Sequence, residues 1–471
     1  MSSHQFHGSI LREYDIRGIL GETLFERDAE ILGLVFGTLL LERGGRSVCV
    51  GFDGRLSSPA LEAMLVNGLS RTGVAVKRVG LGPTPMLYFA TNSTGADAGI
   101  MVTGSHNPPS HNGFKISLAN RPFFGAQIID IGHRAATGHY HMAESGGVVE
   151  KLDVKSSYLK ALANAARGLI ADEEPDLRVV WDPGNGAAGA MTQHLANILP
   201  GTHVVINGAI DGTFPNHHPD PTVAENLVQL KAAVAEHKAH IGIAFDGDGD
   251  RIGAINSNGQ IIWGDQLIAI LAREVLAAQP GATIIADVKT SQMTFDEIAR
   301  LGGRPFMWRT GHSPIKQKMI EMKSPLAGEM SGHIFFADRY YGFDDALYAA
   351  VRLLNACQAG RGLDDILSNF PTFVNTPELR IGVPEDRKFA IIDQIKARVS
   401  ESAYYDIVDI DGIRVNTADG WWLLRASNTQ AAIVVRCEAS SQDNLNKLIK
   451  VVSQYLSAQS VDVSAVADGH P

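Results

Sequence analysis

Short apolar runs alternate with longer amphipathic segments along most of this chain, and polar loops separate them. Three of the apolar runs, which begin at Val48, Val179 and Ile284, each lead into a polar loop that carries an aspartate. A helical pattern follows each of these loops. Strands that alternate with helices predict α/β structure, and the recurrence of the pattern predicts three domains of similar build.

The C-terminal part of the chain follows a different pattern. Apolar runs at 413–415 and 421–424 flank a turn at 418–420, and a third run follows at 433–436. These runs predict antiparallel strands with a helix on either side. The predicted fold class is therefore α/β, with three similar α/β domains followed by a C-terminal α+β domain.

Loop segments near residues 146–156, 256–259 and 370–371 separate the predicted domains. The domains that result are 1–151, 152–256, 257–369 and 370–471. The Asn-Gly pair at 258–259 also predicts a tight hairpin turn. Because no linker is long or low in complexity, we expect the domains to pack closely.

Composition and charge narrow the class of protein. With 471 residues, the chain is too long to form a single hydrophobic core. Its hydrophobic content of 45% is ordinary for a globular protein. A formal net charge of −10 argues against nonspecific binding to nucleic acid or to an anionic membrane surface. The longest apolar stretch, residues 31–41, is too short to cross a bilayer and predicts a buried helix.

Residues 1–15 lack the apolar core of a signal peptide. The three cysteines are widely spaced and predict buried free thiols in a reducing compartment. We therefore expect a cytoplasmic protein that has neither a membrane nor a nucleic acid as partner.

The segment 103–108, with the sequence Thr-Gly-Ser-His-Asn-Pro, follows an apolar run that predicts a buried strand. Gly104 lets the backbone bend beside Ser105, and prolines at 108 and 109 stiffen the exit. We expect a rigid loop that holds the Ser105 hydroxyl outward with His106 beside it. Such a loop suits a serine that carries a group in a covalent step, and a surface turn of small polar residues is the alternative.

Three aspartates, Asp246, Asp248 and Asp250, follow directly after the apolar run 241–245, at the carboxyl end of a predicted strand. Alternate side chains on a straight strand lie ~6.5 Å apart, so the intervening glycines must curl the segment if all three carboxylates are to reach one ion. Hard oxygen ligands favour Mg²⁺ over zinc. An EF-hand is excluded because Arg251 stands where that loop needs glycine, and a solvated acidic turn remains the alternative.

Two further loops carry residues that suit ligand binding. In the segment 328–333, Glu329 and Ser331 would point the same way in an extended loop and would read two adjacent sugar hydroxyls. The segment 425–429 lies between two predicted strands and offers a guanidinium, two hydroxyls and an amide, which suit a phosphate dianion. An ordinary polar loop is the alternative for both segments.

Five cations elsewhere in the chain are candidates for contact with a phosphate: Arg12, Arg17, Lys115, Lys289 and Arg309. Each of them, taken singly, is expected to be a solvated surface charge. His312 is likewise expected to be a hydrogen-bonded polar residue rather than a catalyst.

The four loops, in this order and one in each predicted domain, resemble the motifs of the α-D-phosphohexomutase family along nearly the whole chain. The resemblance is closest to the bacterial bifunctional phosphomannomutase/phosphoglucomutase type. The opening Tyr14-Asp15-Ile16-Arg17-Gly18 is similar to the family's amino-terminal motif. The loops match the phosphoserine, metal-binding, sugar-binding and phosphate-binding loops, and the resemblance implies four domains around a central active-site cleft.

The resemblance further implies an enzyme that interconverts hexose 1-phosphate and hexose 6-phosphate, for glucose and mannose. Mg²⁺ and a hexose 1,6-bisphosphate, the intermediate and activator, are the implied cofactors, and small phosphosugars are the partners, with no obligate protein partner evident. The implied metal ligands are Asp246, Asp248, Asp250 and the phosphorylated Ser105. The implied catalytic residues are Ser105, His106, Lys115, Arg17, Arg251 and His333. The implied substrate-binding residues are Tyr14, Lys289, His312, Glu329, Ser331, His333, Arg425, Ser427, Asn428 and Thr429.

His106, Lys115 and His333 remain alternatives for proton transfer. A phosphoglucosamine mutase, a metal-dependent phosphatase with a phosphoserine intermediate and a non-catalytic phosphosugar-binding protein remain alternatives for the function. A phosphatase has no need of a phosphate-binding loop far from the serine. A binding protein has no need of Ser105 or of three clustered aspartates.

Overall fold

The computed structural model describes residues 3–166, 177–358, 363–401, 405–428 and 430–464. Within these residues the chain forms four β-sheets, which contain seven, five, four and six strands in chain order.

The first sheet carries the loop with Ser105. Its strands are β1 (Ile16–Ile19), β2 (Ser47–Phe52), β3 (Ala75–Leu81), β4 (Ala98–Val102), β5 (His111–Leu118), β6 (Arg121–Pro122) and β7 (Val149–Lys151). The helices of this part are α1 (Glu26–Glu42), α2 (Ser58–Arg71), α3 (Thr84–Thr94) and α4 (Ala126–Thr137). The spatial order is β1-β5-β4-β2-β3-β7, with β6 beside β5. Ser105 thus follows β4, a fully buried strand near the middle of the sheet.

The second and third sheets carry the aspartates and Glu329. The second contains β8 (Arg178–Asp182), β9 (Thr202–Val205), β10 (Ile241–Phe245), β11 (Ile252–Asn256) and β12 (Ile261–Ile262), with α5 (Lys155–Asn164), α6 (Gly189–Ile198) and α7 (Val228–Glu236). The third contains β13 (Thr283–Asp287), β14 (Arg304–Trp308), β15 (Leu326–Gly328) and β16 (Ile334–Phe336). Its helices are α8 (Gly264–Ala278), α9 (Gln292–Arg300), α10 (His312–Met322), α11 (Ala346–Gln358) and α12 (Leu363–Ser368).

These three sheets share one plan, which confirms the predicted similarity of the three domains. In each sheet parallel strands form the centre, and an antiparallel strand follows the site-bearing loop: β5 beside β4, β11 beside β10, and β16 beside β15. The turn predicted at 258–259 connects the antiparallel strands β11 and β12. Since β12 pairs with β11, the second sheet extends past residue 256, and the domain boundaries themselves stay predictions.

The fourth sheet is antiparallel, as predicted. It contains β17 (Val374–Asn375), β18 (Leu379–Gly382), β19 (Asp406–Val408), β20 (Ile413–Thr417), β21 (Gly420–Ala426) and β22 (Ala432–Ala439). The helices α13 (Lys388–Ser400) and α14 (Gln442–Ser457) flank it. The predicted α+β build of this part is confirmed.

Hydrophobic packing joins neighbouring domains as well as stabilising each of them. One buried cluster includes Phe89 from α3, Tyr158 from α5 and Leu347 from α11, and therefore crosses the first three domains. The Tyr158 hydroxyl also donates to the buried carboxylate of Asp345. The expected close packing of the domains is confirmed, and it fixes the loops at the strand ends relative to one another.

The apolar stretch 31–41 lies inside α1, which is buried along most of its length, as expected. Cys49 and Cys437 are buried free thiols, and Cys357 is partly buried. None of the helices in the described ranges combines the length and the apolar run that crossing a membrane requires. The cytoplasmic location stays a prediction.

Candidate active site

Ser105 lies in the serine loop (residues 103–110) and has a left-handed backbone with φ 50°. Its hydroxyl donates a hydrogen bond to Oδ2 of Asp246 (2.9 Å) and lies 3.3 Å from Nδ1 of His106. The expected outward orientation is wrong, because only 1% of Ser105 is exposed. The loop packs against the second domain instead, and a Cβ at Gly247 would lie 2.4 Å from the Ser105 carbonyl oxygen. Glycine is thus required for this close approach.

The aspartate loop (residues 246–251) curls as predicted. Ligand oxygens of Asp246, Asp248 and Asp250 lie within 4.8 Å of one another, and all three side chains are fully buried. Oδ1 of Asp246 accepts hydrogen bonds from the backbone N–H groups of Asp250 and Arg251, both at 3.1 Å. Gly249 adopts φ 73°, a conformation that supports the curl.

The chemistry of this cluster fits a divalent cation with a preference for oxygen. Burial and the neighbouring Asp248 and Asp250 raise the pKa of Asp246 well above its usual range, because three adjacent carboxylates repel each other. Oδ1 of Asp248 is buried and has no hydrogen-bond partner among the described residues. Carboxylate oxygens without other partners are the donors that Mg²⁺ prefers.

Lys115 and Lys289 are buried, so the expectation that each is a solvated charge is wrong for both. Nζ of Lys115 donates to Oδ2 of Asp248 (2.7 Å) and also to Asp250. Burial lowers the pKa of Lys115, but the aspartates outweigh burial and raise it above the usual value. Lys115 is therefore an ammonium directed at the aspartate cluster.

The other cations differ in their surroundings. Nη1 of Arg17 donates to Oδ1 of Asn107 in the serine loop (2.5 Å), and its guanidinium pairs with Asp15. Arg12 is partly buried, whereas Arg309 is exposed beside Trp308. Burial and the cations Arg251, Arg17 and Lys115 lower the pKa of His106 well below its usual value.

Glu329, Ser331 and His333 lie in a tight turn between β15 and β16, so the loop is not extended. The hairpin forces this turn, and the N–H of Glu329 donates to the His333 carbonyl (2.9 Å). Glu329 and Ser331 still converge, because Glu329 Oε2 lies 2.9 Å and Ser331 Oγ 3.3 Å from the same atom, Nδ1 of His333. Glu329 Oε1 accepts from the N–H of Gly311 (2.6 Å).

His333 connects the hairpin turn to the aspartate loop. Nε2 of His333 lies 3.3 Å from Oδ1 of Asp250, and Nε of Arg251 lies 3.3 Å from the same nitrogen. Burial lowers the pKa of His333, but the carboxylates of Asp250 and Glu329 outweigh it and raise the pKa to about 9. His312 packs between Tyr14 and His333, with ring centroids 6.1 and 5.6 Å away.

The phosphate-binding candidates lie at the end of β21 and in the loop that follows. Nε of Arg425 donates to Oδ2 of Asp411 (3.0 Å), and Ser427 is buried beside it. Nδ2 of Asn428 donates to the Tyr14 hydroxyl (2.6 Å), so this loop contacts the first domain. Thr429 lies outside the described residues.

One cavity of about 160 Å³ collects most of the predicted residues from all four domains. Its predicted lining residues are Arg12, Tyr14, Arg17, His106, Arg251, Lys289, His312, Glu329, Ser331, His333, Arg425, Ser427 and Asn428. Ser105 and the aspartate cluster do not line this cavity but contact residues that do: Ser105 lies beside His106, Asp246 accepts from the Arg251 N–H, and Asp250 lies beside His333. Lys115 contacts the cluster through Asp248. The cavity is cationic, which suits a phosphorylated ligand.

Sequence reasoning missed the acidic residues that hold the cations in place. Glu378 binds Lys289 Nζ (2.7 Å), and Asp411 binds Arg425. Neither acid belongs to a motif: Glu378 lies 89 residues from Lys289, and Asp411 lies 14 residues before Arg425, outside the segment 425–429. Asp15, which pairs with Arg17, and the aspartates that pair with Lys115 do lie within segments that the sequence singled out.

Comparison with known proteins agrees with this arrangement. Models of phosphoglucomutase/phosphomannomutase domains match residues 8–136 (alpha/beta/alpha domain I), 156–259 (domain II), 263–373 (domain III) and 378–454 (the C-terminal domain). The chain is 44% identical over 451 residues to the phosphomannomutase/phosphoglucomutase of Pseudomonas aeruginosa, with 96% of each chain covered.

Two further relatives extend the comparison. The chain is 39% identical over 440 residues to a phosphoglucomutase of Neisseria gonorrhoeae, which covers 93% of this chain and 95% of the relative. A crystal structure of a phosphoglucomutase/phosphomannomutase family protein from Burkholderia thailandensis matches with a TM-score of 0.88 at 40% identity, covering 96% and 98% of the two chains. With the four domains in order and the residues of their loops gathered in one cleft, the chain belongs to the phosphoglucomutase/phosphomannomutase family of enzymes.

Proposed function

We propose that this enzyme interconverts the 1-phosphates and 6-phosphates of glucose and mannose through a phosphoserine at Ser105 and a hexose 1,6-bisphosphate. The observation that carries the proposal is the hydrogen bond from Ser105 Oγ to Asp246 (2.9 Å), at the edge of a buried cluster of three aspartates. A serine hydroxyl in that position suits covalent transfer of a phosphoryl group.

The first chemical step transfers the phosphoryl group from Ser105 to the sugar. The bond between phosphorus and the Ser105 oxygen breaks, a bond between phosphorus and the free sugar hydroxyl oxygen forms, and the product is the bisphosphate. The sugar hydroxyl gives its proton to an enzyme base, and a proton returns to the Ser105 oxygen. When bound by Asp246, Asp248 and Asp250, Mg²⁺ would offset the charge on the phosphoryl group.

Proton transfer has three candidate groups at the reacting end of the cleft. Nδ1 of His106 lies 3.3 Å from the Ser105 oxygen. Lys115 and His333 each contact Asp250, which lies in the same aspartate cluster as the Asp246 bound to Ser105. His106 is the group placed to exchange a proton with Ser105 itself, while His333 lines the cavity where the sugar would lie.

The rest of the cleft would hold the part of the substrate that does not react. Arg425, Ser427 and Asn428, with Lys289 nearby, supply donors for the distal phosphate. Glu329 and Ser331, which meet at His333, would bind two adjacent sugar hydroxyls. The bisphosphate turns within the cleft, and the phosphoryl group that the substrate brought passes to Ser105 by the reverse of the first step, which leaves the isomeric hexose phosphate as product.

A coupled assay of purified enzyme with glucose 1-phosphate and mannose 1-phosphate tests the proposal. We expect both 6-phosphates to form and intact-mass analysis to find a phosphate of about 80 Da on Ser105. Ser105→Ala should abolish both activities while retaining the fold. Full activity of Ser105→Ala, or binding of both sugars with no turnover by the wild type, would contradict the proposal.

Use of both sugars is expected because they differ only in the orientation of the carbon-2 hydroxyl. A residue that hydrogen-bonded that hydroxyl in one binding orientation would be misplaced when the substrate binds the other way round. Glu329 and Ser331 suffice to bind two adjacent hydroxyls that are common to both sugars. We expect kcat/KM values within about tenfold, or ~1.4 kcal/mol. Glu329→Ala should impair both reactions. A thousandfold preference for one sugar, or damage to one reaction alone, would refute this part.

A further inference from the structure

Arg55 lies outside the cleft, yet its side chain holds the serine loop. It follows β2, and its side chain is fully buried. Nη1 donates to the carbonyl oxygens of Pro108 (2.6 Å) and His111 (3.0 Å), and Nη2 donates to those of Ser105 (2.6 Å) and Asn107 (2.6 Å). One guanidinium therefore satisfies four backbone acceptors, three in the serine loop and one at the first residue of β5, a geometry that its planar fork of donors provides.

Asp53 holds the entry of the same loop and orients Arg55. Its Oδ2 accepts from the Thr103 hydroxyl (2.8 Å) and the Gly104 N–H (3.2 Å), and it lies 3.2 Å from Nε of Arg55. The loop passes so close to the guanidinium that a Cβ at Gly104 would lie 2.5 Å from it. The glycine before Ser105 is thus explained by the approach of Arg55.

The second domain closes the remaining face of Arg55. The guanidinium carbon lies 5.2 Å from the ring centroid of Phe214, within the range of a cation–π contact. The backbone of Gly212 packs on Arg55, since a Cβ at Gly212 would lie 2.5 Å from Cα of Arg55. Arg55 therefore lies where the serine loop meets the domain that carries the aspartates.

Ser105 needs such support because its backbone is strained. Its φ of 50° lies in the left-handed region, which L-residues other than asparagine and aspartate rarely adopt. The carbonyl oxygen that follows this torsion is one of the four held by Arg55. In the same conformation the hydroxyl reaches Asp246.

We propose that Arg55 is a positioning residue for phosphoryl transfer, which keeps Ser105 in its left-handed conformation so that Oγ faces the aspartate cluster. The inference rests on the proposed function of Ser105. Arg55 does not line the cleft, so its loss should leave sugar binding intact. The expected effect is a fall in kcat with little change in KM.

Arg55→Lys is the variant of choice, because an ammonium keeps the charge but cannot reach four carbonyls in one plane. Arg352→Lys is the matched control, since Arg352 is also fully buried, bonded to Asp338 (2.8 Å) and packed on Phe336 (4.4 Å), with its partners in the third domain. We expect Arg55→Lys to lower kcat about 100-fold with KM within about threefold, and Arg352→Lys to leave kcat within about threefold.

Two readouts separate positioning from general destabilisation. Guanidinium ion at millimolar concentration should raise the kcat of Arg55→Ala at least about tenfold and leave that of Arg352→Ala unchanged. Hydrogen exchange in peptides that cover residues 103–111 should be faster than in the wild type for Arg55→Lys but not for Arg352→Lys. Unchanged exchange in this segment would overturn the proposal, as would wild-type kcat in a folded Arg55→Lys enzyme. If the wild type proves to have no mutase activity, the proposed function fails, while the exchange measurement still decides the role of Arg55.

Discussion

Asp248 shows how one residue of the aspartate loop combines two demands. One of its oxygens accepts from Thr84 (2.5 Å) and Lys115 (2.7 Å), while the other is buried without a hydrogen-bond partner among the described residues. The free oxygen suits a cation, and the bonded one fixes the side chain. Asp248→Asn keeps the size of the side chain but removes its charge.

We expect Asp248→Asn to lower kcat by about 100-fold or more and KM far less, because the lost charge acts during transfer rather than on the resting sugar. Chelation should abolish wild-type activity, and added Mg²⁺ should restore it. Asp182→Asn is the control, since Asp182 is a buried strand-end aspartate of the same domain outside the cluster. A chelated, metal-free enzyme at full rate would mean that the cluster is structural.

Asp345 makes stability depend on pH. Burial raises its pKa to about 6. The hydrogen bonds that it accepts from the Tyr348 N–H and the hydroxyls of Tyr340 and Tyr158 lower the pKa, but burial outweighs them. A folded-state pKa above the unfolded value of 3.8 means that stability is fully present below about pH 4 and is lost as pH rises through 6.

The stability of Asp345→Asn relative to wild type should therefore rise between pH 4 and pH 8, by roughly 3 kcal/mol for a pKa that rises from 3.8 to about 6 on folding. Urea unfolding of both proteins across this range measures the difference. Asp386→Asn, at an exposed position, serves as control and should give no comparable trend. A constant difference between Asp345→Asn and wild type would show that the carboxylate stays charged in the fold.

The hairpin turn at 329–333 is the element that joins the second and third domains at the site. Arg251 and His333 form an isolated antiparallel bridge, and the N–H of Ile252 donates to the Gly332 carbonyl (3.0 Å). Gly332 has φ 90°, and a Cβ there would lie 2.5 Å from the Ile252 carbonyl oxygen. Neither the conformation nor the space allows another residue.

Gly332→Ala should therefore cost about 2 to 4 kcal/mol of stability, of which about 1 to 2 is backbone strain and the rest the clash, and should lower turnover on both sugars. Gly259→Ala is the matched control, because Gly259 also has a positive φ (77°) but open space around it. Denaturant unfolding should show the smaller loss there, with activity unchanged. Equal losses of stability in the two variants would show that the contact between Gly332 and Ile252 does not stabilise the protein.

The elements were predictable where local pattern decides them. The apolar run 241–245 became β10, and the glycines between the aspartates allow the curl that brings three carboxylates together. Burial could not be predicted in the same way. Ser105 and Lys115 are expected from local sequence to be exposed, but the surface that covers them comes from another domain. Arg55 carries no local signal either, since its four acceptors lie about 50 residues further along the chain.

At the scale of the whole molecule, the fourth domain is anchored to the third by buried arginines. Nη1 of Arg414 donates to the carbonyls of Val288 (2.9 Å) and Thr290 (2.7 Å), and its guanidinium stacks 3.7 Å from the centroid of the Trp421 ring. Contact with the first domain is of another kind. Asn428 donates to the Tyr14 hydroxyl, which in turn donates to the Thr310 carbonyl (2.9 Å). If the fourth domain closes over a substrate, this polar contact across the cleft would form on closure and break on opening.

Tyr14→Phe tests whether this contact holds the cleft closed. The variant keeps the ring but removes both hydrogen bonds, so we expect the cleft to open more often, KM to rise about tenfold, and more bisphosphate to escape before its second transfer. Small-angle scattering should show wild-type enzyme becoming more compact with glucose 1,6-bisphosphate and Tyr14→Phe responding less. Tyr341→Phe, half-exposed and outside the cleft, should behave as wild type. If glucose 1,6-bisphosphate leaves the wild-type scattering curve unchanged, the cleft does not close over the intermediate. Contacts of Arg425 with the distal phosphate would then have to keep the bisphosphate bound while it turns.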